Sequence, residues 1–259
     1  MPIDTRRCDA ADGQLNGPMD TIGTVSELWR YPVQSLQGES HNALAFTAAG
    51  AVGDRGYSIV DDSNVGGTAA RPPWKSLIGW RARYVREPKA GEDLPKVEIT
   101  FDDGTRMVSD DARVEGAISE RLGRRGRLAM TVSPEVKRPY VASPCHLLTS
   151  ATLKALTALY PGGRFVSPRF RPNVTLDCGD TVGFIETGWL GGSLTVGDVA
   201  MRATEHCLRC ALTTRPQGDL PKDPGILHTA QQHNETRVGI YTEIAAPGVL
   251  RIGDIAVLD

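Results

Sequence analysis

The second half of the chain alternates β-branched and polar residues in runs too short to be anything but strands. Residues 173–178, 193–196, 199–204, 238–244 and 250–258 each carry this pattern and lie between glycines. Many short strands with few helices between them expose many edges. A closed barrel removes those edges, so this pattern predicts a mainly β fold with a few helices, of the α+β class.

The first half adds shorter pieces of the same kind. TIGTVSELWRYPV, residues 21–33, reads as a strand whose ladder ends at Pro32, because proline has no N–H to donate. Strands are expected at 43–46, 57–60, 97–101 and 106–108, the last two joined by the DDGT turn. SNVGGTAARPPW is a Gly- and Pro-rich loop. Two helices are predicted. One covers 110–122 with Asp110 as cap and Val114, Ala117, Ile118 and Leu122 on one face; the other covers 151–160, capped by Ser150 and ended by Pro161-Gly162-Gly163. No internal repeat is visible. A boundary falls in the Pro-containing stretch 133–144, which divides the chain into a flexible polar lead-in (1–20), a β-rich region (21–132) and a barrel (133–259). One continuous domain with an inserted helix is the alternative.

Composition narrows the class. With 40% hydrophobic and 23% charged residues, 259 residues can build a sizeable core. A net charge of −2 gives no basic excess for nucleic acid, and the Arg121–Arg127 cluster reads as a solvated helix end. No apolar run approaches the ~20 residues that span a bilayer. The N-terminal twenty residues lack a secretory h-region, and their acidic residues argue against a mitochondrial presequence, so the expected location is cytoplasmic. Five cysteines (Cys8, Cys145, Cys178, Cys207, Cys210) at irregular spacing suit a reducing compartment rather than a disulfide scaffold.

The chemistry concentrates in EHCLRCALTTRPQGDLP, residues 205–221. Cys207 and Cys210 form a Cys-x-x-Cys pair, and the cationic Arg209 next to Cys210 favours a thiolate there, the form that binds a soft metal or attacks sulfur. Cys207, Cys210, His228 and His233 also approach a zinc pattern, although the span between the pairs is long and Pro-rich. Thioredoxin-like redox chemistry and two buried, inert cysteines are the other readings. A second cluster is PRFRPNV: Arg169, Arg171 and Asn173 in a loop before a strand suit a phosphate or a heterocycle edge, while such arginines also commonly cap carbonyls or pair with Asp. Ser35 and Arg55, close to glycines, offer another anion site. Neither GxGxxG nor GxxxxGK[ST] occurs, which argues against Rossmann and P-loop nucleotide sites.

In this order, VSELWRYPVQSLQGE, GDRGYSIVD, TAARP, SPCHLLT, FRPNV, CLRCALTTRPQGDLP and VGIYTEIAAPGVLRIGD resemble the signatures of the MOSC family, from about Gly23 to the C-terminus. That family is related to the C-terminal domain of molybdenum-cofactor sulfurases and to the amidoxime-reducing enzymes. The resemblance implies a MOSC-type β-barrel with a β-rich N-terminal region, holding molybdopterin in a cleft that the two share. It implies Cys210 as the molybdenum ligand and reactive residue. It further implies that Arg171 and Asn173 contact the cofactor, that Ser35 and Arg55 hold the pterin and its phosphate, and that Tyr241 lines the site beside Arg209. The family's YPVKS lysine is replaced here by Gln34, which removes one positive charge from the phosphate site. The activity implied is reduction of N-hydroxylated or other N- or S-oxygenated small molecules. With no ferredoxin-like cysteine set, electrons would come from a separate protein of ferredoxin or flavoprotein type. Sulfur transfer through a persulfide on Cys210 is the alternative, and a non-catalytic cofactor carrier a third. Pyridoxal phosphate is associated with the family through the sulfurase's other domain; no signature for it is present, and only Lys75, Lys89, Lys96, Lys137, Lys154 and Lys222 could form its imine.

Overall fold

The computed structural model describes residues 20–137 and 143–259. The first nineteen residues of the expected lead-in, and the middle of the expected 133–144 boundary, lie outside these described residues. Seven strands hydrogen-bond in a closed ring, in the order Val174–Asp177, Cys145–Thr149, Arg237–Ala246, Val199–Leu208, Ser193–Val196, Ile255–Leu258 and Asp20–Arg30, which returns to Val174–Asp177. All neighbours run antiparallel except Cys145–Thr149 against Val174–Asp177. Closure leaves no edge around the ring, as the many short alternating strands predicted. Inside it pack Leu147, Val174, Leu176, Leu194, Val196, Met201 and Ile240, all buried.

Asp20–Arg30 comes from the N-terminal region yet completes this ring. The rest of that region folds around a second core that includes Trp74, Leu77, Trp80, Ile99 and Ile118. That core also takes in Leu212, which lies two residues past Cys210. A third cluster of Leu148, Leu156, Phe165, Phe170, Ile226 and Val238 packs helices against the outside of the ring. The α-helices are Val114–Leu122 (α1), Ser150–Leu159 (α2), Ser167–Phe170 (α3) and Gly225–Asn234 (α4). No helix among the described residues is long and apolar enough to cross a membrane.

Several boundaries differ from the expectations. The α1 helix begins at Val114, and Asp110 pairs with Lys96 instead of capping it. The cap of α2 is Thr149, not Ser150: Thr149 is extended (φ −113°, ψ 150°) and its hydroxyl accepts from the Thr152 amide, worth ~1 kcal/mol. Ser150 is already helical. The 250–258 run splits into Gly248–Arg251 and Ile255–Leu258, because the chain turns at Gly253, whose φ is +90°. The 199–204 strand continues to Leu208 and carries the chain to the Cys-x-x-Cys pair. Helix α4 was not predicted, since its sequence lacks an apolar stripe beyond Ile226 and Ala230.

One buried carboxyl braces the ring. Glu186 is 2% exposed and accepts from the hydroxyls of Thr149 (2.8 Å) and Thr152 (2.7 Å). Burial pushes its pKa above the ordinary carboxylate range, although those hydroxyls and the Gly239 amide pull the other way. A raised carboxyl pKa contributes stability at low pH that is lost as pH rises through the folded value. Wild type should therefore lead Glu186→Gln by more at about pH 5 than at about pH 8 in denaturant melts. A lead independent of pH would show that Glu186 titrates alike in the folded and unfolded chain.

Candidate functional site

A cleft of about 410 Å³ opens between the ring and the N-terminal region. Of the expected site residues, Ser35, Arg55, Arg171, Asn173, Arg209, Cys210 and Tyr241 all line it, although they span more than two hundred positions of sequence. Gln34 is not among the lining residues. Its side chain is 3% exposed, and its amide donates to the Gly67 carbonyl at 3.3 Å. None of the six lysines lines the cleft, nor, among the described residues, does any Asp or Glu.

The walls are held by a few side chains. Ser35 donates to the Gly67 carbonyl (3.3 Å) and accepts from the Ala69 amide (3.2 Å), tying the opening loop to the Gly- and Pro-rich loop. Asn173 is 1% exposed. Its carbonyl oxygen accepts from the His146 amide at 3.1 Å, and its Nδ2 donates to the Trp29 carbonyl at 3.3 Å. Arg171 donates to the Leu36 carbonyl and stacks on the Tyr31 ring, 4.1 Å from its centroid. Arg55 pairs with Asp54 and lies 5.2 Å from the same ring. Tyr31, not singled out from sequence, is thus a platform for two guanidiniums, with its hydroxyl donating to the Pro172 carbonyl at 3.1 Å.

Backbone strain collects here as well. Ser35 (φ 69°), Arg55 (φ 50°) and Arg171 (φ 57°) all sit in the left-handed region that non-glycine residues avoid. Each costs ~1 kcal/mol or more and persists only because its surroundings over-determine it. Gly239 is needed for a different reason. A Cβ there would lie 2.4 Å from His146 Nε2 and 2.5 Å from the Leu147 carbonyl, so any side chain would drive His146 out of place.

The two cysteines are unlike. Cys210 is exposed; Cys207 is fully buried. The side chain of Arg209, expected to act on the neighbouring Cys210, makes its contact elsewhere: Nη1 contacts the Cys207 sulfur, while Nη2 donates to the Phe170 carbonyl at 2.6 Å. In an extended chain, residues two apart share a face, and residues 207 and 209 obey that spacing. Burial alone would raise the Cys207 thiol. The Arg209 charge, together with the charge and hydrogen bond of His146 and a hydrogen bond from Tyr241, outweighs it and brings the thiol down to about 6. His146, another residue not singled out, lies 2% exposed with Nε2 against the Val238 carbonyl at 3.0 Å.

The alternative chemistries fare differently. His228 and His233 ride on α4, and among the described residues no three His, Cys, Asp or Glu side chains converge to hold a metal ion, so the zinc pattern does not close. Cys210 is followed by a short 3₁₀ turn, Ala211–Thr214, not by the α-helix that thioredoxin-like chemistry uses.

The MOSC domain family profile matches residues 113–257, and that of the MOSC N-terminal beta barrel domain matches residues 22–105. The mouse mitochondrial amidoxime-reducing component 1 is 23% identical, over 91% of this chain and 82% of its own length. The human component 1 is 22% identical over 91% and 83%, and the rat component 2 is 24% identical over 91% and 83%. Among solved structures, the YUAD protein from Bacillus subtilis superposes with a TM-score of 0.50 at 12% identity, covering 92% of this chain and 96% of that one, a likeness of fold alone.

The Cys207 environment has a measurable signature. A thiol whose folded pKa is lowered contributes stability above its unfolded value and loses it as pH falls through the folded one. The lead of wild type over Cys207→Ser should grow as pH rises from about 6 toward the ordinary thiol range, near 9. A flat difference would mean that Cys207 stays protonated throughout.

Proposed function

This chain belongs to the MOSC family, and from that premise we propose that it is a molybdenum-cofactor oxidoreductase acting on N-hydroxylated or other N- or S-oxygenated small molecules. The observation that carries this reading is the donor set of the cleft. Arg55, Arg71, Arg171 and Arg209 line it, with no carboxylate among the described residues that do, and one exposed thiol, Cys210, joins them. Such a site suits a phosphorylated, thiol-ligated metal cofactor. Arg209 Nε is buried without a hydrogen-bond partner among the described residues, which leaves a donor for a bound group. A metal here would draw only Cys210 from the protein and would need its remaining ligands from the cofactor itself.

In this reading Cys210 binds molybdenum as a thiolate, and Arg55 and Arg171 hold the anionic phosphate of molybdopterin. Tyr31 keeps both guanidiniums in place, so little of their freedom is lost on binding. Ser35, Asn173 and Tyr241 line the pterin's site. When bound, the cofactor supplies two-electron chemistry that removes the substrate's oxygen as water, with two protons and two electrons consumed. The electrons come from a separate ferredoxin or flavoprotein. The exposed Cys210 thiol also favours a second reading, in which Cys210 carries a persulfide and delivers sulfur without any pterin.

Protein expressed with an intact molybdopterin pathway should contain molybdenum and reduce an aromatic amidoxime with an artificial donor. Protein from a host unable to make molybdopterin should fold and show no turnover. Arg171→Ala should lower both occupancy and turnover by about tenfold or more, since a charge-assisted hydrogen bond is worth ~1.5–3 kcal/mol. Efficient sulfur transfer from a desulfurase through Cys210 in cofactor-free protein, with no reductase activity in cofactor-replete protein, would replace the first reading by the second.

A further inference from the structure

The PRFRPN segment contributes two arginines with opposite assignments. Arg171 faces the cleft; Arg169 does not line it. Arg169 is fully buried, and its three nitrogens are all spent on main-chain carbonyls. Nε donates to Arg164 at 3.0 Å, Nη1 to Thr213 at 3.2 Å and Nη2 to Pro221 at 2.9 Å. Burial pushes its pKa down, with Asp223 opposing the shift. A buried cation satisfied by carbonyls is costly to keep, and a lysine could not reproduce its fork.

Two of its three acceptors, Thr213 and Pro221, lie in the stretch of chain that follows Cys210. Thr213 in turn closes on that cysteine: its amide (3.1 Å) and its hydroxyl (3.0 Å) both donate to the Cys210 carbonyl. On the other side of Cys210, the Arg209 guanidinium donates to the carbonyl of Phe170, the residue after Arg169. Residues 169 and 170 therefore grip the chain both before and after Cys210. Leu212 adds a third hold by packing into the N-terminal core.

We propose that Arg169 is a positioning residue for Cys210, clamping the Cys210–Thr213 turn so that the thiol meets the metal in a fixed geometry. The proposal rests on Cys210 being the metal's thiolate. A ligand on an unpinned turn loses affinity because it must be ordered on binding, and loss of an outer-shell support typically costs about ten- to a hundredfold in metal affinity or activity.

The test compares wild type, Arg169→Lys and Thr213→Val as full chains, with and without the molybdopterin pathway. Arg169→Lys keeps the charge and loses the fork. Thr213→Val keeps Arg169 and its neighbours and removes only the hydroxyl bond to Cys210, so it stays informative should the first variant fold poorly. In cofactor-free protein, amide hydrogen exchange over 211–215 should accelerate about tenfold in Arg169→Lys, and less in Thr213→Val, while the Arg237–Ala246 strand exchanges as in wild type. In cofactor-replete protein, molybdenum per chain should fall about tenfold. The kcat per bound molybdenum should drop with KM for the amidoxime unchanged. Wild-type exchange over 211–215 with wild-type molybdenum content in a folded Arg169→Lys overturns the proposal. Equal acceleration across the Arg237–Ala246 strand also overturns it, because Arg169 would then be a general staple of the fold. If wild type itself takes up no molybdenum, the functional reading fails, whereas the exchange comparison still decides whether Arg169 clamps the turn.

Discussion

The pairing of Asp20–Arg30 with both Val174–Asp177 and Ile255–Leu258 closes the ring, and the cleft depends on that closure. The strand leaves the ring at Arg30 and runs straight into Tyr31, Gln34 and Ser35. Its neighbour Val174–Asp177 is preceded in the chain by Arg171 and Asn173. Without this pairing the platform for the guanidiniums and the loops they hold would have no fixed relation. The backbone bond from the Trp29 amide to the Asn173 carbonyl, at 2.9 Å, marks the join.

Around that join the molecule concentrates cost. Three left-handed non-glycine residues, a buried thiol against a guanidinium and buried Arg169 all sit within a few residues of the cleft. Each is unfavourable alone. They persist because three hydrophobic cores surround the cleft and fix the loops between them. The guanidiniums that line the cleft are held in this rigid frame, so little further ordering would be needed for a group bound there.

The Cys-x-x-Cys pair shows how the frame divides two similar groups. Cys207 belongs to the strand and is enclosed by His146, Tyr241 and Arg209. Cys210 lies past the strand's end, where the turn exposes it. The register of Val199–Leu208 against Arg237–Ala246 shifts between His206 and Leu208, at the point where the chain leaves the ring. Such irregularities commonly re-aim side chains beside functional sites.

The sequence by itself determined the β-rich architecture and seven of the residues that meet in the cleft, Ser35, Arg55, Arg171, Asn173, Arg209, Cys210 and Tyr241. Period-two alternation reports which face of a strand is buried, and the ordered motifs from about Gly23 to the C-terminus carry the family likeness. Local chemistry also set the hairpin at 101–105, whereas the first strand ends at Arg30, before the expected stop at Pro32. Only the tertiary structure decided the rest. Whether Thr149 or Ser150 caps α2 depends on where the preceding strand stops. Arg209 serves Cys207 because adjacent residues in an extended chain face opposite ways. Gln34 turns to the Gly67 carbonyl while Ser35 next to it lines the cleft. Tyr31 and His146 carry no distinguishing local signal, and no local pattern tells which carbonyls Arg169 caps, since these roles come from contacts that reach segments up to 141 residues away in sequence. Long-range packing assigned them, and no window of neighbouring residues contains that information.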